Sequence, residues 1–236
     1  MSGSDSKLPE KPQSGEVAAF LKKLAETPVP RASGERGRLL FGLDATASRQ
    51  PSWDRAMHLQ AEMFSEAARL GGLDIQLAYY RGFGEFKATG WLSDSDALLR
   101  RMTGVSCLGG RTQIGRLLAH ALAETRTRKV NAVVFVGDAM EEAADKLCHR
   151  AGELGMLGVP LFIFHERGER NAAECFRQMA KLSGGAYCRF DAGSARELRD
   201  LLRAVAVFAT GGPLALADFG KRAGGSVLQL TTQLKR

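Results

Sequence analysis

From Gly37 onward, short apolar runs alternate with helical periods, and this alternation restricts the fold more than any other feature of the chain. The runs are RLLFGLD (38–44), DIQLAYY (74–80), NAVVFVGD (131–138), VPLFIFHE (159–166) and AYCRF (186–190), each bounded by Gly, Pro or Asp. They read as strands buried on both faces. Between them apolar residues recur at helical spacing: Trp53, Ala56, Met63, Phe64 and Ala67; then Ile114, Leu117, Leu118, Ala121 and Leu122. Further stripes run through Ala144, Leu147, Ala151 and Leu154, through Phe176, Met179 and Ala180, and through Leu198, Leu201, Leu202, Val205 and Phe208. Strand then helix, repeated, demands a parallel sheet with helices on both faces. One exception is predicted. DIQLAYYRG and EFKATGWL flank Gly82 and Gly84 too closely for a helical crossover, so they form a hairpin with an antiparallel strand at the sheet edge.

The expected fold is therefore a three-layer α/β, Rossmann-like domain with a mostly parallel six-stranded sheet. It occupies residues 37–210. Residues 1–36 form an extension with a short amphipathic helix (Val17, Phe20, Leu21, Leu24) and a Pro/Gly-rich linker, and residues 211–236 a tail in which SVLQLTTQL alternates like a strand. No apolar run approaches the roughly 20 residues of a membrane helix, and MSGSDSKLPEKPQSGE lacks a signal-peptide core, so a cytoplasmic, bacterial protein without a membrane partner is the expectation. Cys107, Cys148, Cys175 and Cys188 show neither CxxC nor zinc-finger spacing and read as reduced, packed thiols. The net charge of +7 comes from scattered basic residues with few interleaved aromatics. That is a solvated basic exterior rather than a nucleic-acid surface.

An open sheet of this kind holds its ligand outside the carboxyl ends of the strands, where the winding reverses. In the order 3-2-1-4-5-6 the reversal lies between the first strand, which ends at Asp44, and the fourth, which ends at Asp138. After Asp44 come Thr46 and Ser48, side chains two apart that point the same way in an extended turn. Thr112 opens a helix after CLGGRT, where Gly109 and Gly110 allow a sharp bend. Asp44, Thr46, Ser48, Thr112 and Asp138 together offer only oxygen, which suits Mg²⁺, with Mn²⁺ or Ca²⁺ as competitors. Two carboxylates neutralise a dication only if both bind it directly; otherwise it stays electron-poor and accepts an acid from another molecule.

Asp44-Ala45-Thr46-Ala47-Ser48, Thr112 after a double glycine, and Asp138 after an apolar strand resemble the metal-ion-dependent adhesion site (MIDAS) of von Willebrand factor type A (VWA) domains, whose first motif is DxSxS. The resemblance spans about residues 37–210. It implies Thr46 and Ser48 as direct metal ligands, Thr112 as a ligand in the ligand-bound state, and Asp44 and Asp138 as direct or water-mediated acids. It also implies a non-enzymatic adaptor that binds a partner's Asp or Glu, in an intracellular bacterial assembly beside a MoxR-type AAA+ ATPase or a metal chelatase. Thr46 stands where Ser is usual, and GDAMEE departs from the Thr-Asp-Gly of many relatives.

The enzymatic alternative is a haloacid-dehalogenase-like phosphohydrolase with Asp44 as nucleophile and Asp138 and Glu142 on Mg²⁺. That mechanism needs an acid two residues after the nucleophile, and Thr46 holds the place. Helix capping is the simplest competing role: Ser48 or Ser52 for the helix that begins near Trp53, Asp138 for the helix starting at MEEAAD. GVSCLGGRT fits a phosphate loop poorly, because it follows a helix and carries Arg111 in place of Lys. His58, His120 and His149 are expected at the surface, and His165 at the rim of the site.

Overall fold

The computed structural model describes residues 36–50, 73–166, 168–190, 202–210 and 215. The N-terminal extension, the helical stripe through Trp53 with His58 and Ser52, Leu198 and Leu201, and the strand-like tail segment lie outside the described residues.

Six strands form one sheet: β1 (Gly37–Asp44), β2 (Leu73–Arg81), β3 (Glu85–Ala88), β4 (Ala132–Gly137), β5 (Leu161–Glu166) and β6 (Ala186–Phe190). Their order is β3-β2-β1-β4-β5-β6, all parallel except the antiparallel β2–β3 hairpin at the edge. Every residue of β1, β4 and β5 is buried. These strands have neighbours on both sides and helices above and below, so they carry no polar alternation. The edge strand β3, by contrast, is Glu85-Phe86-Lys87-Ala88, partly or fully exposed throughout. Its charged residues blunt the open edge.

Among the described residues the helices are α1 (Ser95–Thr103), α2 (Ile114–Thr127), α3 (Ala144–Met156), α4 (Arg170–Leu182) and α5 (202–210). Because side chains alternate across a strand, each strand supplies two cores. Leu39, Phe41, Leu43, Val134, Val136, Phe162 and Phe164 pack with Leu98 and Met102 of α1 and Val205 and Phe208 of α5. Leu40, Tyr80, Val133, Phe135 and Ile163 pack on the opposite face with the apolar stripes of α2, α3 and α4. This is the three-layer arrangement expected from the sequence. On the second face the rings of Tyr80, Phe135, Phe176 and His165 follow one another at centroid separations of 6.4, 5.6 and 5.0 Å. The row ends in two polar groups, both at the carboxyl ends of strands.

Among the described residues, no helix is long and apolar enough to cross a membrane. None of the four cysteines is joined in a disulfide.

Candidate functional site

The winding reverses between β1 and β4, whose register pairs Leu43 with Val136. Asp44 therefore ends β1 level with Gly137, and Asp138 follows one residue later. Both aspartates are buried. Each is held by a different device.

Asp44 has partners for both carboxylate oxygens: the Thr46 N–H donates to Oδ1 at 2.8 Å and the Tyr80 hydroxyl to Oδ2 at 3.0 Å. Burial pushes the Asp44 carboxyl above its ordinary range; the hydrogen bonds from Thr46 and the charge of Arg49 pull it back, and Asp138 adds to the rise. Tyr80 is a firm donor, since burial and the neighbouring Asp44 raise its phenol well above its usual value. The turn bends through a single 3-10 turn, Ala47–Arg49, that brings the Thr46 and Ser48 hydroxyls to 3.1 Å of each other. Ser48 thus shares its hydroxyl with Thr46. Below them the Arg49 side chain turns inward and its Nε meets Glu166 Oε2 of β5 at 3.1 Å, with both side chains fully buried.

Asp138 is treated otherwise. Its carbonyl accepts a hydrogen bond from His165 Nε2 at 3.1 Å, but carboxylate Oδ1 is buried and has no hydrogen-bond partner among the described residues. A buried carboxylate oxygen without a donor costs on the order of 1–3 kcal/mol, and more when charged. Asp138 does not cap the next helix: α3 starts at Ala144, with Ala143 at its N-cap position.

Thr112 lies on the loop between α1 and α2. This loop runs beside the β1 turn, with the Leu108 N–H bonded to Ala45 O at 3.0 Å and Thr46 and Leu108 paired in a parallel bridge. Thr112 also holds the β4 loop through a reciprocal pair: its N–H donates to Glu141 Oε2 and its Oγ1 accepts from the Glu141 N–H, both at 3.0 Å. Glu142 takes two further amides, those of Ile114 (2.7 Å) and Gly115 (2.8 Å). The N-terminus of α2 is thus capped from another loop, where the helix dipole favours an anion. Glu142 is committed there, which removes it from the metal-binding role required by the phosphohydrolase.

Gly110 serves close approach instead of a bend. A Cβ there would sit 2.0 Å from the carbonyl oxygen of Gly82, and only Gly82 of the two has a positive φ (+60°). Gln113 Nε2 donates to the carbonyls of Arg81 and Gly82 at 3.2 and 3.3 Å, tying the hairpin tip to the same loop.

His165, expected at the rim, is fully buried. A carbonyl can only accept, so Nε2 carries the hydrogen toward Asp138 and Nδ1 accepts from the Tyr187 hydroxyl at 2.9 Å. Burial lowers its pKa from 6.5 to about 4, so it is neutral near pH 7. His120 is half-buried against Gln76, and His149 is exposed as expected.

Comparison with solved structures gives the architecture its name. The SpRpn10 VWA domain superposes with a TM-score of 0.58 at 14% identity, over 71% of this chain and 94% of that one. The chain has the von Willebrand factor type A fold. A VWA protein from Catenulispora acidiphila matches with a TM-score of 0.57 at 17% identity, over 73% of this chain and 43% of that one. Proximal thread matrix protein 1 of the mussel byssus, with a zinc-occupied MIDAS motif, matches with a TM-score of 0.54 at 14% identity, over 73% of this chain and 46% of that one. At such identities the likeness is one of fold. No protein-family model matches the sequence, and no curated protein matches it.

Within this VWA fold the expected donors are two acids and three hydroxyls. Among the described residues no three His, Cys, Asp or Glu side chains gather as a metal-holding group. A cation here would depend on the hydroxyls as much as on the carboxylates. The chemistry of the donors and the unsatisfied Asp138 oxygen both fit a hard dication.

Proposed function

We propose that this chain is a non-enzymatic interaction module that binds an acidic side chain of a partner protein through a divalent cation. Asp44, Thr46, Ser48, Thr112 and Asp138 would hold the ion, Mg²⁺ first and Mn²⁺ or Ca²⁺ as competitors. Bound there, the ion would supply a Lewis-acidic position for a partner's Asp or Glu. The observation that carries the reading is the buried Asp138 oxygen without a donor among the described residues, just past the end of β4, the strand paired with β1, whose following turn carries the Thr46–Ser48 hydroxyl pair. A cation satisfies that oxygen and relieves the mutual repulsion that helps raise Asp44.

The chain's own residues do the rest. Tyr80 and the Thr46 amide fix Asp44, His165 fixes the Asp138 backbone, and Glu141 fixes Thr112. Among the described residues, the position two after Asp44, where the phosphohydrolase mechanism needs an acid, is Thr46, and His165 is buried with both ring nitrogens engaged. The family resemblance supports a cytoplasmic bacterial adaptor, with a MoxR-type AAA+ ATPase as the first partner to test.

The experiment is thermal unfolding with and without Mg²⁺ or Mn²⁺. Wild type should gain stability in proportion to ln(1 + [L]/Kd), and Asp138→Ala should gain none. Hydrolysis of an aryl phosphate by the wild-type chain, lost in Asp44→Ala, would instead favour the phosphohydrolase.

A further inference from the structure

The hairpin that ends β2 carries an aromatic side chain into solvent at the edge of the candidate cation site. Phe83 is 85% exposed, and Leu108, on the loop that pairs with Thr46, is 50% exposed. The two belong to one surface: a Cβ on Gly82 would lie 3.1 Å from Leu108 Cδ2, so Leu108 packs against the residue next to Phe83. Among the described residues the other large exposed apolar side chains, Met156, Leu157 and Leu182, close α3 and α4 at the opposite end of the sheet.

This tip is braced. The Gly82 carbonyl accepts from the Arg111 N–H at 3.2 Å and from Gln113, Arg116 Nη1 donates to Gly84 O at 2.7 Å, and Arg81 Nη1 donates to Ser106. So many contacts spent on a turn that only displays a phenylalanine give no core burial in return. They do pre-organise an apolar contact, which lowers the entropy cost of binding. Exposed Arg111 and Arg116 flank it and add positive charge to that of the proposed ion.

We infer that the partner of this site is an acidic peptide segment in which the cation-binding Asp or Glu is accompanied by a bulky apolar side chain that seats on Phe83 and Leu108. The inference rests on the cation-site reading above and adds to it the second determinant of recognition. The carboxylate supplies a contact that any acidic segment could make; the apolar pair selects among such segments. Arg111 favours a further acid nearby.

The test is selection of a displayed peptide library, with one fixed Glu and randomised flanks, on the full chain in Mg²⁺, followed by elution with EDTA. EDTA-released peptides should be enriched in Leu, Ile, Met, Phe or Trp within a few residues of the Glu. Their affinity should fall roughly tenfold on Phe83→Ser with Leu108→Ser, as expected for loss of a well-packed apolar anchor. Phe83→Ser alone, at a side chain almost wholly in solvent, should leave the melting temperature unchanged and still weaken binding. EDTA-released binders without apolar enrichment, or binders indifferent to both variants, overturn the inference and leave the cation site standing. Failure to recover any EDTA-released binder overturns both. Peptides that stay bound through EDTA but depend on Phe83 overturn the pairing of acid with apolar contact.

Discussion

The two acids at the reversal point sit at the carboxyl ends of neighbouring strands, one residue apart in level, and are supported in opposite ways. Asp44 has a donor for each oxygen, drawn from Thr46 and Tyr80. Asp138 has its backbone carbonyl held by His165 while one carboxylate oxygen is buried without a donor among the described residues. The loops differ likewise. The β1 turn is anchored inward by the Arg49–Glu166 pair, whereas the β4 loop spends Glu141 and Glu142 outward on the start of α2. The contrast lies in the acids themselves: both oxygens of Asp44 have donors, and one oxygen of Asp138 has none among the described residues. Asp138 is where a cation has most to add.

Several substitutions sharpen or break that contrast. The largest effect should come from Arg49→Met, which leaves Glu166 charged and buried without its counter-ion; a loss of about 3–5 kcal/mol in urea unfolding is expected. A loss below about 1 kcal/mol would mean the first loop is not anchored by this pair. Acid should come next. His165 stays neutral when folded, with its pKa at about 4 against 6.5 unfolded. The unfolded chain therefore binds the extra proton, and stability is full above about pH 6.5 and lost as pH falls toward 4, by at most roughly 3 kcal/mol. Urea titrations from pH 7 to 4 should show that slope in wild type and a shallower one in His165→Gln.

Tyr80→Phe converts Asp44 into a second Asp138, with one buried oxygen undonated, and should cost about 1–3 kcal/mol without metal. Part of that loss should return when Mg²⁺ is added. If Tyr80→Phe is neutral, the two acids are not supported differently after all. The smallest effect belongs to Asp138→Asn: in the absence of metal its stability should match wild type within about 1 kcal/mol or exceed it, since an amide removes a buried charge.

The sheet was legible because its signals are redundant. Apolar runs without alternation can only be interior strands, the close pair around Gly82 can only be a hairpin, and the order then puts Asp44 beside Asp138. The supports were harder to see. Tyr80 sits inside an apolar run and reads as a strand residue, while His165, at the end of its run, reads as a rim residue and is buried instead; a buried phenol or imidazole needs a partner for its polar end, and that need was the available signal. Glu141 and Glu142 read as the start of a helix. The helix begins later, at Ala144, and their role depends on an α2 N-terminus about thirty residues away in sequence, a pairing that no local pattern encodes. The capping role considered for Asp138 failed for the same reason. Gly110 was read as a bend, but what it avoids is the Gly82 carbonyl, a contact set by tertiary packing.

Manganese titration followed by electron paramagnetic resonance tests the central claim most directly, because free and bound Mn²⁺ give distinct signals. One bound ion per chain is predicted for the wild-type protein, displaced by excess Mg²⁺ and absent in Asp138→Asn. Wild-type protein that leaves all the Mn²⁺ free, or binding that survives in Asp138→Asn, would contradict it.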